Sequence, residues 1–443
     1  MRACVLGQVC NDALVCRMNY KRTKLHNGLR LLTAPMSGMR SASIAFFFTV
    51  GSRYERNEIA GVSHFIEHML FKGSRNYPTA RLLSESIEGI GGTFNASTGK
   101  ELTSYTARLP GEYLAEALHV MSDMILHPLF EPGEIEKERN VIIEEINATY
   151  DDPQEWSNLL IDEVMWPGLP LGRDDAGSVE TVAALQRQQM LDYLSTYYRP
   201  NALVLSIAGN IDQQQTEELV GQLFGEWEAR EYPYCSESFP PLHTQQPVKI
   251  VKKATEQANI CLATLGIPYA SPDYYPFMLI NTILGEGMSS RLFQTIREER
   301  GLAYDIGSYF NSYYDAGSFV VSAGVEPARG EETVRAILLE LKRVCDEPVS
   351  SEELERTKAY VRGGILLGLE GTQQVASWLG SQESLRNQVR EVDEMIARID
   401  AVTPQDIQRV AQICFAPEWR RLAIIGPEDA RRAGYFGKLL TSV

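Results

Sequence analysis

The sequence predicts an α+β protein of two homologous domains, each a mainly antiparallel sheet packed with helices. Three observations predict it. Short, β-rich apolar runs are interleaved with longer stretches of 3.6-residue periodicity. The same order of elements occurs twice along the 443 residues. Between the two passes, residues 230–247 (REYPYCSESFPPLHTQQP) are rich in Pro, Ser and aromatics and break the periodicity.

The first pass begins near Lys24. LRLLTAP (29–35) and SASIAFFFTV (41–50) read as strands, the latter short, β-rich and buried. A helix follows over GVSHFIEHMLFKGS (61–74) and another over 79–90. GGTFNAST (91–98) and TSYTARL (103–109) form a strand pair, and helical periodicity covers 111–126 and 131–149. Helices at 186–197 and 212–224 flank NALVLSIAG (201–209), a buried strand.

The second pass repeats this programme. VKIVKKA (248–254) and ANICLATLGI (258–267) are strands, followed by a helix at 273–284 and a helix over SSRLFQTIREE (289–299). Strands DIGSYFN (305–311) and GSFVVSAGV (317–325) come next, then helices at 328–345 and 351–369. RRLAIIGP (420–427) mirrors NALVLSIAG, and SEELERTKAYV (351–361) answers GEIEKERNVII (133–143). Matching words in matching order imply an internal duplication. The expected domains are 18–229 and 248–443, joined by the 230–247 linker and preceded by a leader, 1–17, of uncertain status ahead of Met18.

Composition excludes several function classes. The formal net charge is −16 with no basic stripe, which argues against a nucleic-acid partner. No apolar stretch reaches the roughly 18 residues of a membrane span. The seven cysteines form no CxxC pair, and their odd number fits reduced thiols better than a disulfide scaffold. A cytoplasmic location of bacterial type follows as the expectation, ahead of a mitochondrial matrix.

The chemistry is concentrated in His64-Phe65-Ile66-Glu67-His68. On a helix, His64 and His68 share a face, so both imidazoles reach one ion. Glu67 lies on the edge of that face, where it can polarise a water. This is H-x-x-E-H, the zinc-peptidase signature H-E-x-x-H in reverse order. Two of only six histidines fall in this pentapeptide. Zinc requires a third protein ligand and an open fourth position. Glu138, Glu144 and Glu145 are the candidates: 138 and 145 share a helix face, whereas 144 points about 100° away. Laying the second half on the first puts Met278, Asn281 and Thr282 opposite His64, Glu67 and His68, and Thr357 and Gly364 opposite Glu138 and Glu145. One metal site per chain is therefore expected.

H-x-x-E-H, 76 intervening residues and then Glu resembles the pitrilysin/insulinase zinc metallopeptidases, the inverzincins. The resemblance runs over nearly the whole chain after Met18. It is closest to the short members, the β subunit of the mitochondrial processing peptidase and bacterial processing-peptidase-like proteins. It implies one Zn²⁺ held by His64, His68 and Glu145, with Glu67 as general base. It also implies that Glu138 is the additional acidic residue near the metal, supporting a ligand from behind or carrying a proton. GGTFNASTGKE is similar to the family's edge strand, where Asn95 and Ala96 hold the substrate backbone by β-augmentation. Arg297 and Tyr304 resemble the pair the family places near the substrate carbonyl, as donors to a developing oxyanion.

The implied activity is endoproteolysis of small or unfolded polypeptides held in extended form within a closed chamber. In this family four such domains form that chamber, so a homodimer is implied, or a heterodimer with a related chain. The glycine-rich loop of the processing peptidase α subunit is longer than LGEGMSS (284–290), which speaks against presequence selectivity. The alternative is a non-catalytic structural subunit, like the core proteins of the respiratory cytochrome bc complex. Such subunits lose part of the metal motif, and here all five positions stand.

Overall fold

The computed structural model describes residues 19–231 and 246–443. The expected leader and residues 232–245 of the expected linker lie outside the described residues. The first sheet contains β1 (Lys21–Lys24), β2 (Arg30–Pro35), β3 (Ser41–Phe48), β4 (Thr93–Thr98), β5 (Thr103–Pro110) and β6 (Leu203–Gly209). The second contains β7 (Val248–Lys252), β8 (Ala258–Leu265), β9 (Ala303–Ser312), β10 (Gly317–Val325) and β11 (Arg421–Gly426).

Their strand orders are β1-β2-β6-β3-β5-β4 and β7-β11-β8-β10-β9. With β1 set aside, the two orders coincide position by position. In each sheet a single pair is parallel, β2 with β6 and β7 with β11. The duplication read from sequence words is thus a duplication of topology. The motif helix Val62–Leu70 follows β3 as helix Tyr274–Gly285 follows β8, and helix Pro132–Asp151 corresponds to helix Ser351–Leu367.

β3 shows why its sequence is apolar at almost every position. Successive side chains point to opposite faces. Ile44, Phe46 and Phe48 enter the core of their own half, against Val62, Phe65 and Met69 of the motif helix. Ala45 and Phe47 face the other way, onto Val375, Ala376 and Leu379. Those three residues belong to helix Thr372–Arg386 of the second half. The reverse also holds: Leu160, Ile161 and Met165 of helix Pro153–Met165 pack on Cys261, Ala263, Ala423 and Ile425 of the second sheet.

Each half therefore lends one helix to the outer face of the other's sheet. A Cβ on Gly380 would lie 2.4 Å from the Phe47 ring, so the borrowed helix needs glycine there to approach. At the strand end, the Thr372 hydroxyl lies 2.9 Å from that of Ser43. Buried Glu383 on the same helix is paired with Arg22 at 2.8 Å and Arg30 at 3.4 Å.

Where SSRLFQTIREE was expected to form an ordinary helix, residues Phe293–Glu299 form a π-helical segment. The wider turn shifts the angular spacing of its side chains away from 100° per residue.

Candidate metal centre

The motif helix starts at Gly61, whose φ of +91° suits glycine. A Cβ at this position would also stand 2.3 Å from Ala176 O, so no larger residue fits. Gly61 has no side chain to cap the helix. The buried carboxylate of Glu55 takes that role, accepting from Gly61 N and Ser63 N, each at 2.8 Å. Burial pushes the Glu55 carboxyl up to about 7 in spite of these donors. Val62, Phe65, Ile66, Met69 and Leu70 are buried beneath the sheet. That anchoring leaves His64, Glu67 and His68 along the opposite edge of the helix.

Helix Pro132–Asp151 runs beside it and brings Glu145 to the two imidazoles. Glu145 Oε2 lies 3.9 Å from His64 Nε2 and 3.6 Å from His68 Nε2. The His64 and His68 rings are 4.6 Å apart between centroids. One ligand atom from each of the three residues falls within 4.8 Å of the others, and no other such His/Cys/Asp/Glu group occurs among the described residues. Two imidazole nitrogens and a carboxylate oxygen this close together are the donor types zinc takes, and the three residues would hold a Zn²⁺ with a position left for water.

Glu138 sits one step back. Its Oε2 is 3.1 Å from His68 Nδ1 and its Oε1 is 2.6 Å from Lys72 Nζ. With Nδ1 donating to Glu138, the free lone pair of His68 is on Nε2, the atom that faces Glu145. The donor chemistry of the three residues thus fits zinc. Burial lowers the basicity of His64, with His68 adding to the effect and Glu145 opposing it. Burial raises the Glu67 carboxyl above the ordinary range, against a hydrogen bond donated to its Oε2 by the Thr98 hydroxyl.

β4 is the edge strand of its sheet, pairing only with β5. Asn95 and Ala96 lie on it, and Asn95 Oδ1 accepts from Ala96 N at 2.9 Å. Arg297 and Tyr304 are together in the second half, the guanidinium 5.6 Å from the Tyr304 ring centroid and 4.7 Å from that of Phe293. Tyr304 is 76% exposed. Among the described residues, no hydrogen bond or ion pair joins Arg297 or Tyr304 to the His64–His68–Glu145 cluster; Arg297 contacts Glu298 at 3.9 Å.

In the second half, Met278, Asn281, Thr282 and Gly364 line one cleft of about 630 Å³, with Glu286 its only carboxylate. This is the position that the duplication assigns to a second metal site. Its side chains supply no such ligand set.

Glu55, Lys72 and Thr98 were not singled out by sequence reasoning. Lys72 lies in the turn just past the motif helix, which ends at Leu70, so helical spacing did not mark it.

Residues 30–177 match the model of the insulinase family (peptidase family M16), and residues 184–361 match that of the peptidase M16 inactive domain. The chain belongs to the M16 peptidase family. An uncharacterized zinc protease of Bacillus subtilis is 36% identical over 92% of this chain and 98% of its own length. One of Streptomyces coelicolor is 34% identical over 93% of this chain and 91% of its own. Among solved structures, a protease from Helicobacter pylori superposes with a TM-score of 0.85 at 20% identity, covering 93% of this chain and all of that one. A chain of Complex III2 from Candida albicans superposes at 0.78 with 19% identity, covering 95% of this chain and 99% of that one. At these identities the superpositions speak for the M16 fold alone. Among the described residues, no helix of this M16 chain is long and apolar enough to cross a membrane.

Proposed function

We propose that this chain is a zinc-dependent endopeptidase acting on small or unfolded polypeptides held in extended form. The observation that carries the reading is the convergence of His64, His68 and Glu145 beside Glu67 on one helix edge. His64, His68 and Glu145 hold the ion, and Glu138 orients the His68 ring. When bound, Zn²⁺ supplies Lewis acidity, polarising a carbonyl and lowering the pKa of a coordinated water.

Glu67 accepts a proton from the attacking water as the water oxygen bonds to the peptide carbon. It then delivers that proton to the amine nitrogen as the C–N bond breaks. The Thr98 hydroxyl occupies one oxygen of Glu67 and leaves the other for the proton. Asn95 and Ala96 on β4 offer an open strand edge to an extended substrate. Arg297 and Tyr304, in contact with each other in the second half, donate to the substrate carbonyl, in the same chain or from a partner chain.

A homodimer enclosing a chamber, acting in the cytoplasm, completes the reading. Its support is the two-domain chain, half of the four-domain chamber the resemblance implies. Against the reading as a non-catalytic structural subunit, the complete His64, His68 and Glu145 set with Glu67 beside it favours catalysis. Cleavage of a quenched peptide, abolished by chelator and restored by zinc, is the expected result. Zinc-loaded protein without cleavage of any unfolded polypeptide would favour the structural alternative.

A further inference from the structure

Thr98, the residue in contact with Glu67, ends β4 just before the turn into β5. Gly99 N donates to Leu102 O at 2.9 Å across that turn. The turn is seated on residues 51–53: Ser52 N donates to Gly99 O at 3.1 Å and Arg53 N to Lys100 O at 2.9 Å. A Cβ on Gly51 would stand 2.1 Å from Gly99 O, so the approach requires glycine. Lys100 Nζ is held 2.9 Å from Asp175 Oδ1.

The next residue of the turn, Glu101, crosses between the halves. Arg53 Nη1 donates to Glu101 Oε1 at 2.6 Å, while Arg53 Nη2 reaches Asp315 Oδ1 at 2.7 Å. Tyr314 N donates to both Glu101 oxygens, at 3.0 and 3.2 Å. Tyr314 and Asp315 form the hairpin turn between β9 and β10 of the metal-free half. The side chains of Arg53, Glu101 and Asp315 are only 2%, 8% and 14% exposed. A buried guanidinium shared by two carboxylates has few low-energy alternatives, because removing one partner leaves the others short of compensation.

We propose that the metal-free half positions the general base. The ionic clamp of Arg53, Glu101 and Asp315 fixes the β4–β5 turn, and Thr98 on that turn orients Glu67. Thr98, Glu101, Arg53 and Asp315 are positioning residues rather than catalytic ones. The inference rests on the hydrolytic reading above. It gives the second half a role in catalysis that does not depend on ligands of its own. The exposed pair of Lys249 and Glu163, 2.6 Å apart, also joins the halves but touches no part of this path.

The test is a double-mutant cycle on zinc-loaded full-length protein, with Lys249→Ala as control. Thr98→Val should lower kcat by roughly tenfold or more with KM and zinc content unchanged, and Thr98→Ser should restore most of it. Asp315→Asn should lower kcat in the same sense and cause little further loss in the Thr98→Val background. Full multiplication of the two losses, or an Asp315→Asn effect confined to melting temperature, would overturn the proposal. Glu101→Gln replaces Asp315→Asn should the latter fail to fold. Amide exchange at residues 99–102, read without any substrate, should quicken in the clamp variant and stay unchanged in Lys249→Ala. Unchanged exchange in the clamp variant would overturn the clamp. Absence of chelator-sensitive cleavage in the unmodified protein would instead sink the hydrolytic reading, and the exchange data would still decide whether the clamp orders the turn.

Discussion

Glu138 Oε2 lies 3.1 Å from His68 Nδ1, and this contact fixes which ring nitrogen is presented to Glu145. Lys72, 2.6 Å from the other oxygen of Glu138, holds the carboxylate in place. Outer partners of this kind set ligand orientation, and their loss typically weakens metal binding about 10–100-fold. Glu138→Gln is therefore expected to lower zinc affinity within that range in a competitive chelator titration while leaving the fold intact. An unchanged affinity would remove Glu138 from the metal's support.

The ligand choice within the Glu144–Glu145 pair has its own consequence. His68→Ala and Glu145→Gln should each lower the zinc content of purified protein. Glu144→Gln should leave it unchanged, because only Glu145 approaches both imidazoles. Metal analysis giving the opposite ranking would reassign the third ligand.

Asp162 supplies a pH dependence away from the metal. Burial, with Asp175 adding and Lys100 opposing, raises its carboxyl from 3.8 to about 7. Between those values the folded chain keeps a proton that the unfolded chain has lost. The stabilisation is complete below pH 3.8 and is lost as pH rises through about 7, with a slope of at most ~1.4 kcal/mol per pH unit. Urea titrations of Asp162→Asn against the parent protein should show this component of the slope removed. Parallel pH profiles would mean that Asp162 is ionised in the fold.

The exchanged helices couple the halves thermodynamically. Leu379, fully buried on the outer face of the first sheet, should cost about 2–5 kcal/mol when replaced by Ala. Calorimetry should show a single transition moved down as a whole. A fragment ending at residue 231 should not fold, since Ala45, Phe47 and Val204 would lose their cover. Two independent transitions would contradict this coupling.

Much of this was legible in the sequence. Short apolar, β-rich runs placed the strands of both sheets except β1, whose four residues are nearly all exposed and carry no apolar signal. The reversed zinc motif and the helical phase of Glu138 and Glu145 placed the centre of the site. The helix exchange was not legible, because an apolar face shows that a helix packs but not on which sheet. Thr98 and Glu55 were missed for a related reason. Their partners Glu67, Gly61 and Ser63 are brought to them by tertiary folding, and neither residue type is rare enough to stand out alone. The Arg297–Tyr304 pair was read together and is found together, with the guanidinium 5.6 Å from the Tyr304 ring centroid.

The central claim is that Glu67 moves the proton while His64, His68 and Glu145 hold the metal. Zinc content and quenched-peptide turnover of Glu67→Gln, measured on the same preparation, test it most directly. The amide cannot accept the proton, so zinc should be retained while turnover falls by on the order of 10²–10⁴. Turnover near that of the parent protein with full zinc occupancy would contradict the account.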